Sequence, residues 1–517
     1  MPAWWLIAVF SLNALAIWGL SQGRYVVSKH GQLQPAFGEL QEFSCFLIAG
    51  TIVAQLWVHG NAVSYAATIH ATLFSVALLD LNVTLHFLVN DVFMALFFGI
   101  AAKELAEAVM KPNGPLRGIH AILPMMACAG GVIGPAIAYR SLCTTEMSGA
   151  WAVPCSTDIA FAWLGARIIW GHAHPAVTFL LAVAVADDFV GMGVIALFYP
   201  QQTFDWFGVV VLAAGMSTAF AMSRLATGRI QLLRNWQFFL VPAAICWLGL
   251  HLAGLHSALA MVFVVPFIPM AGRDVGIFAE QQSTALWLPH RFLRLDRGTD
   301  IANRPDRSTL DPINRFDLAV RPWVDTGLFF FGLANAGVAW YGSNAWNQNS
   351  WAVFLGLGIG KTLGIGVMTA LGYVFVRLLL RRKSTPIGLE VVQLLKWRDV
   401  PLVGLLGAMG FTVALFVADA AGAAPSLKLG AMASFVYLGI AVLVGRQIVP
   451  PKDRQELPLV AAPLNRDPQD TEISADEKRS GGEGTNVARA QTARYKKLAI
   501  TNPFRISCLI VWMTRST

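Results

Sequence analysis

Apolar runs of about twenty residues recur along most of the chain, each closed by a short polar loop, and the pattern holds until about Arg446. A helix rises ~1.5 Å per residue, so about twenty apolar residues cross the ~30 Å hydrocarbon layer of a bilayer. On that basis membrane helices are predicted at 3–20, 43–59, 84–110, 119–139, 152–170, 175–199, 206–223, 237–252, 255–270, 322–341, 352–377, 399–420 and 428–446, about thirteen in all. No Lys or Arg precedes the first run, and Arg24 and Lys29 follow it. That order suits an extra membrane helix with its N-terminus outside better than a cleaved secretory signal.

The loops test this series independently. Lys111 and Arg117, then Arg224, Arg229 and Arg234, then eight arginines from Arg273 to Arg321, then Arg381, Arg382, Lys383, Lys396 and Arg398 fall in alternate loops. The loops between them carry little that is basic beyond Arg140 and Lys428. Such alternation is the positive-inside pattern and assigns the first set to the cytoplasm.

Composition adds exclusions. With 56% hydrophobic and 13% charged residues over 517 positions, the chain is too poor in charge for an ordinary soluble globule. The net charge of +8 comes from loop residues between apolar runs and from no basic domain, so a nucleic-acid partner is not expected. Six cysteines without a CxxC spacing argue against both a disulfide framework and a zinc site. The domains then read as 1–42, an N-terminal helix and its cytoplasmic connection; 43–446, the membrane domain with a long cytoplasmic loop at 271–321; and 447–517, a mixed-charge tail expected to be disordered. No cofactor-binding or Walker-type motif occurs, so no cofactor is expected.

Against this apolar background, ionisable residues inside spans are costly and mark function. Asp187 and Asp188 are adjacent near the middle of the 175–199 run. Asp158 closes Pro154-Cys155-Ser156-Thr157, where a proline removes a helical hydrogen bond, and Gly404 to Thr412 is a second glycine-rich interruption. Each break lies in the middle of three consecutive spans, in opposite halves of the chain, which points to an inverted repeat with a site at the membrane midplane. Asp158 is placed to offset converging helix N-termini, and Lys361, within GLGIGKTLGIG, converging C-termini.

These stretches make the chain resemble the NhaA-type sodium/proton antiporters. The resemblance rests on VNDVFMALFFGIAAKEL around Asp91 and Glu104, WAVPCSTDIAFA around Asp158, AVADDFVGMGVIALFY, GLHSALA around His256, FGLANAGV around Asn335, GIGKTLGIG and GAMGFTVALFVA, in the family's order from Ser44 to Arg446. It implies an all-α inverted-repeat fold with two discontinuous crossing helices. It also implies electrogenic exchange of Na⁺ for H⁺, with Li⁺ a further candidate cargo, in the bacterial inner membrane, often as a homodimer within the lipid bilayer. By the same resemblance Asp187 and Asp188 bind the ions, Asp158 and Lys361 compensate the crossed helices or couple the proton, and Thr157 and Thr412 support the breaks. Asp91, Glu104 and His256 belong to the pathway or the pH response. For His256 a helix-packing role competes with pH sensing, and Asp91 and Glu104 read equally as helix-end charges facing water.

Departures from the family pattern mark where this chain differs. Lys103 is an unusual charge beside Glu104, Leu318 and Arg321 stand where histidines are common, and Asp419 replaces a small neutral residue. The alternative function is transport of another ion or an organic solute on the same fold. An intramembrane aspartyl protease fits poorly, because its two carboxylates face each other from different helices, whereas adjacent residues sit ~100° apart on one.

Overall fold

The computed structural model describes residues 45–450 apart from 78–80, 111–113, 172–173, 229–234, 271–311, 341–345, 383–394 and 423. The predicted span at 3–20, most of the loop read at 271–321 and nearly all of the tail read at 447–517 lie outside the described residues.

Twelve elements organise the rest. They are α1 (Cys45–Ile69), α2 (Leu85–Met110), α3 (Ile122–Leu142), α4 in two halves (α4a, Thr145–Cys155; α4b, Ile159–Trp170), α5 (Pro175–Phe198) and α6 (Trp206–Gly228). There follow α7 (Trp236–Leu252), α8 (Ser257–Phe267), α9 (Pro312–Asn335), α10 (Gln348–Leu378), α11 in two halves (α11a, Val400–Gly407; α11b, Thr412–Ala420) and α12 (Pro425–Ile448). Among the described residues seven helices are long and apolar enough to cross a membrane, or nine if each bent pair counts as one span. Two shorter apolar helices, α7 and α8, accompany them.

Three features depart from the apolar runs. Helix α1 continues to Ile69, ten residues beyond its apolar run, across a kink at Asn61 (φ −158°, ψ 90°). The Asn61 side chain accepts the Ser64 N–H at 2.8 Å and so caps the second segment. Between α1 and α2 lies an antiparallel hairpin, β1 (Thr72–Val76) on β2 (Leu81–Thr84), in the register Phe74 opposite Val83. Windows of span length do not register strands this short. Helix α9 starts at Pro312, inside the stretch read as loop to Arg321, so that boundary is corrected to 312. The buried Asp317 in its early turns is paired. Lys103 of α2 lies 3.0 Å from Glu107 and 3.2 Å from Asp317, and Arg321 donates to both Asp317 oxygens at 3.0 and 3.2 Å.

The helices pack as two bundles. Helices α3, α4, α5, α10, α11 and α12 form one, and α1, α2, α6, α7, α8 and α9 the other, with α5 and α11b touching the second bundle. In the first, α3 and α10 run antiparallel at close approach. Gly130 faces Gly364 and Gly134 faces Gly360, a small-xxx-small pair on each helix. A Cβ on Gly130 would overlap the Gly364 carbonyl. Gly130→Ala is therefore expected to lower stability by roughly 1–3 kcal/mol, read as a lower melting temperature in detergent, and to displace Lys361 on the facing strip.

Candidate ion-binding site

The triplets α3–α4–α5 and α10–α11–α12 each carry a broken middle helix, bent by 53° in α4 and by 50° in α11. Residues 156–158 and 408–411 are the non-helical links, and they cross each other. The Asp158 N–H donates to the Met409 carbonyl at 2.7 Å. A break of this kind leaves helix-terminal N–H and C=O groups without intrahelical partners in a place water does not reach. The neighbouring side chains supply them.

At the N-terminal ends, Asp158 occupies the cap position of α4b while its Oδ2 accepts the Thr412 backbone N–H at the start of α11b, at 3.1 Å. The Thr412 hydroxyl donates to the same oxygen. One carboxylate thus serves two converging positive helix ends. At the C-terminal ends, Lys361 Nζ donates to the Cys155 carbonyl, the last of α4a, at 2.5 Å, and the Thr157 hydroxyl bonds the Gly407 carbonyl, the last of α11a, at 3.1 Å. Lys361 follows a π-helical turn, Gly356–Gly360, that shifts the helix register just before it.

Asp187 and Asp188 lie on α5 and both are buried. Asp187 Oδ2 lies 2.7 Å from Lys361 Nζ and accepts the Thr157 hydroxyl at 2.8 Å. Both charged side chains of that pair are fully removed from solvent. Helix α3 leaves room for Asp187 by placing Gly131 against it, where a Cβ would stand 3.3 Å from Oδ1. Asp188 is turned about 100° away on the helix, toward Asp158 and the second bundle, and its Oδ1 is buried without a hydrogen-bond partner. Asp187 Oδ1 is likewise buried without a partner, so each aspartate presents one open oxygen, and the pair differs in that only Asp187 is also held by a lysine and a threonine.

The remaining candidates lie away from this centre. Asp91 sits on the π-helical turn Leu88–Phe93 of α2, where its Oδ1 accepts a long 3.4 Å contact from Gln201. His256 precedes α8, with Nδ1 2.9 Å from the Gln201 amide nitrogen and its ring 5.5 Å from that of Phe416. Both are buried, and so is Glu104, which lies toward the other end of α2 within the electrostatic reach of Arg321 and Lys103. Neither Asp91 nor Glu104 is a water-facing helix-end charge. Asn335 holds helices together, donating to Asn90 Oδ1 at 2.8 Å and to the Phe331 carbonyl at 3.2 Å. The four-residue network of Lys103, Glu107, Asp317 and Arg321 was not among the candidates; its traces in the sequence were the unexpected Lys103 and Arg321.

Inverted triplets with crossed half-helices, their ends neutralised by side chains, around buried carboxylates near the midpoint of a span, are the architecture of a secondary ion transporter. The chain belongs to the Na⁺/H⁺ antiporter 1 family, whose model matches residues 37–447. It is 37% identical over 422 residues to a Na⁺/H⁺ antiporter NhaA of Geobacter sulfurreducens, covering 79% of this chain and 97% of that protein. It is 38% identical over 420 residues to one of Geobacter metallireducens, at 79% and 96% coverage, and 34% identical over 440 residues to one of Jannaschia sp., at 78% and 96%. It is accordingly a multi-pass membrane protein of a transporter family.

Proposed function

We propose that the protein exchanges Na⁺ for H⁺ across the bacterial inner membrane, with Arg-rich loops on the cytoplasmic side, and that the ions compete at Asp187 and Asp188. The observation that carries this reading is the pair of buried, unpartnered carboxylate oxygens, Asp187 Oδ1 and Asp188 Oδ1, on adjacent residues of one helix. Sodium is a hard cation that takes oxygen ligands, and an open carboxylate oxygen with released carbonyls and threonine hydroxyls nearby supplies them.

The exchange is electrogenic if the number of protons carried per cycle differs from the number of Na⁺ ions. Li⁺, a smaller hard cation, fits the same oxygen ligands.

The test is antiport in proteoliposomes with Na⁺, Li⁺ and K⁺ over a pH series. Na⁺ and Li⁺ are expected to dissipate an imposed pH gradient and K⁺ to leave it, and a diffusion potential is expected to change the rate. A rate indifferent to potential would make the exchange electroneutral. Collapse of the gradient by an organic anion but not by Na⁺ replaces the cargo.

A further inference from the structure

Asp419 stands outside the ion site. It lies on the last turn of α11b, seven residues or ~10.5 Å along the helix from Thr412. Its Oδ1 accepts from Lys428 Nζ of α12 at 2.9 Å. Its Oδ2 accepts from Asn90 Nδ2 of α2 at 2.9 Å and lies 3.1 Å from His86 Nε2 at the start of that helix. Asn90 is in turn held by Asn335 of α9. Lys428 and Asp419 belong to the repeat bundle, and His86, Asn90 and Asn335 to the other, so this one carboxylate bonds the two bundles together. The other titratable groups facing it are Asp91, His256, Tyr65 and His70, the last with its ring 5.3 Å from that of His86.

A cavity lies on the same side of the ion site. Cys155, Asp187, Val190, Gly191, Val194 and Val417 line it, the α5 residues running from the site toward Phe198 at the end opposite the Arg-rich loops. Val417 is contributed by α11b, so this half-helix forms one wall between the site and the outer face.

The geometry points to Asp419 as a gate residue of the transport cycle, a latch that clamps α11b against the second bundle and closes the cavity toward the outer face. Alternating access is largely a rocking of one bundle against the other around a fixed site. Opening outward requires Asp419 to release Asn90 and His86. It keeps Lys428, which moves with it, so the release leaves no buried charge uncompensated and stays reversible. The network of Lys103, Glu107, Asp317 and Arg321 differs in this respect. It lies wholly on α2 and α9 of the second bundle and does not resist rocking.

The inference rests on the antiport reading, and the test separates the two. Full-length protein is reconstituted in one orientation, and Na⁺ is varied on either side, in the parent, in Asp419→Ala and in His86→Ala/Asn90→Ala, which removes both cross-bundle contacts but leaves the Asp419–Lys428 pair. Both variants are expected to bind Na⁺ on the order of tenfold more tightly from the outer side and correspondingly more weakly from the inner side, as a population shift requires. Labelling of Cys155 by a membrane-impermeant maleimide from outside, located by peptide mass spectrometry, is expected to rise several-fold. Apparent affinities that change equally from both sides, with Cys155 labelling at the parent rate, would make Asp419 merely structural and overturn the latch. A parent that exchanges no Na⁺ for protons overturns the antiport reading, and the labelling comparison then still decides the latch by itself.

Discussion

Asp188→Asn is expected to abolish Na⁺-driven proton movement while leaving the protein folded. Asparagine keeps the size and one oxygen of the side chain but removes the charge and the proton-binding site. Two opposite unit charges about 4 Å apart at an effective dielectric constant near 20 attract by ~4 kcal/mol, and each 1.4 kcal/mol is tenfold in affinity. The loss is therefore on the order of 10³-fold in Na⁺ affinity, beyond the range of ordinary vesicle assays. Folding is little affected, because Asp188 Oδ1 has no partner to lose and a neutral amide is less costly to bury than a carboxylate. Asp187→Asn differs in a measurable way: it also strands Lys361 and is expected to lower the melting temperature. Parent-level exchange in both variants would remove the ion-site assignment.

The second large effect is on stability. Lys361→Ala leaves the Asp187 carboxylate buried without its lysine and the Cys155 carbonyl without its donor. Breaking a buried ion pair from one side costs about 3–5 kcal/mol, far more than the ~0–1 kcal/mol of an exposed pair. Thermal unfolding in detergent is expected to show a clear fall in melting temperature whatever happens to transport. Adding Asp187→Asn to Lys361→Ala is expected to recover part of that loss, because the second change removes the stranded charge. A double variant as unstable as the sum of the singles would show that the pair does not act as a unit. Unchanged melting in Lys361→Ala would remove the helix-end compensation at α4a.

Much of the ion site was legible because its signals are local. Two adjacent carboxylates in an apolar run, a proline-containing break before Asp158 and a glycine-rich break before Thr412 stand out in any membrane span, since each violates what hydrocarbon tolerates. The crossing of the two breaks follows from their matching places in two triplets. The distribution of roles within the carboxylate pair was not legible. Periodicity puts Asp187 and Asp188 about 100° apart, and it is the close contact of Gly130 and Gly134 with Gly364 and Gly360 that brings Lys361 onto Asp187 and not onto Asp188.

Polar segments were harder to place for a related reason. Residues 312–321 read as loop because Arg315, Asp317 and Arg321 break the apolar run, yet Asp317 is offset by Arg321 and by Lys103, 214 positions away. Asp419 had no account in the sequence, since its partners Lys428, Asn90 and His86 come from two other helices.

By itself the sequence determined that the chain is built from apolar helices of membrane length, where two of them break, and that Asp158, Asp187, Asp188 and Lys361 are ionisable groups inside them, because hydrophobic transfer and backbone hydrogen bonding act on each segment alone. Only the tertiary structure decided which charge meets which. A buried ion pair depends on a few ångströms between side chains from different helices, and glycine contacts, π-helical turns and helix bends set those distances.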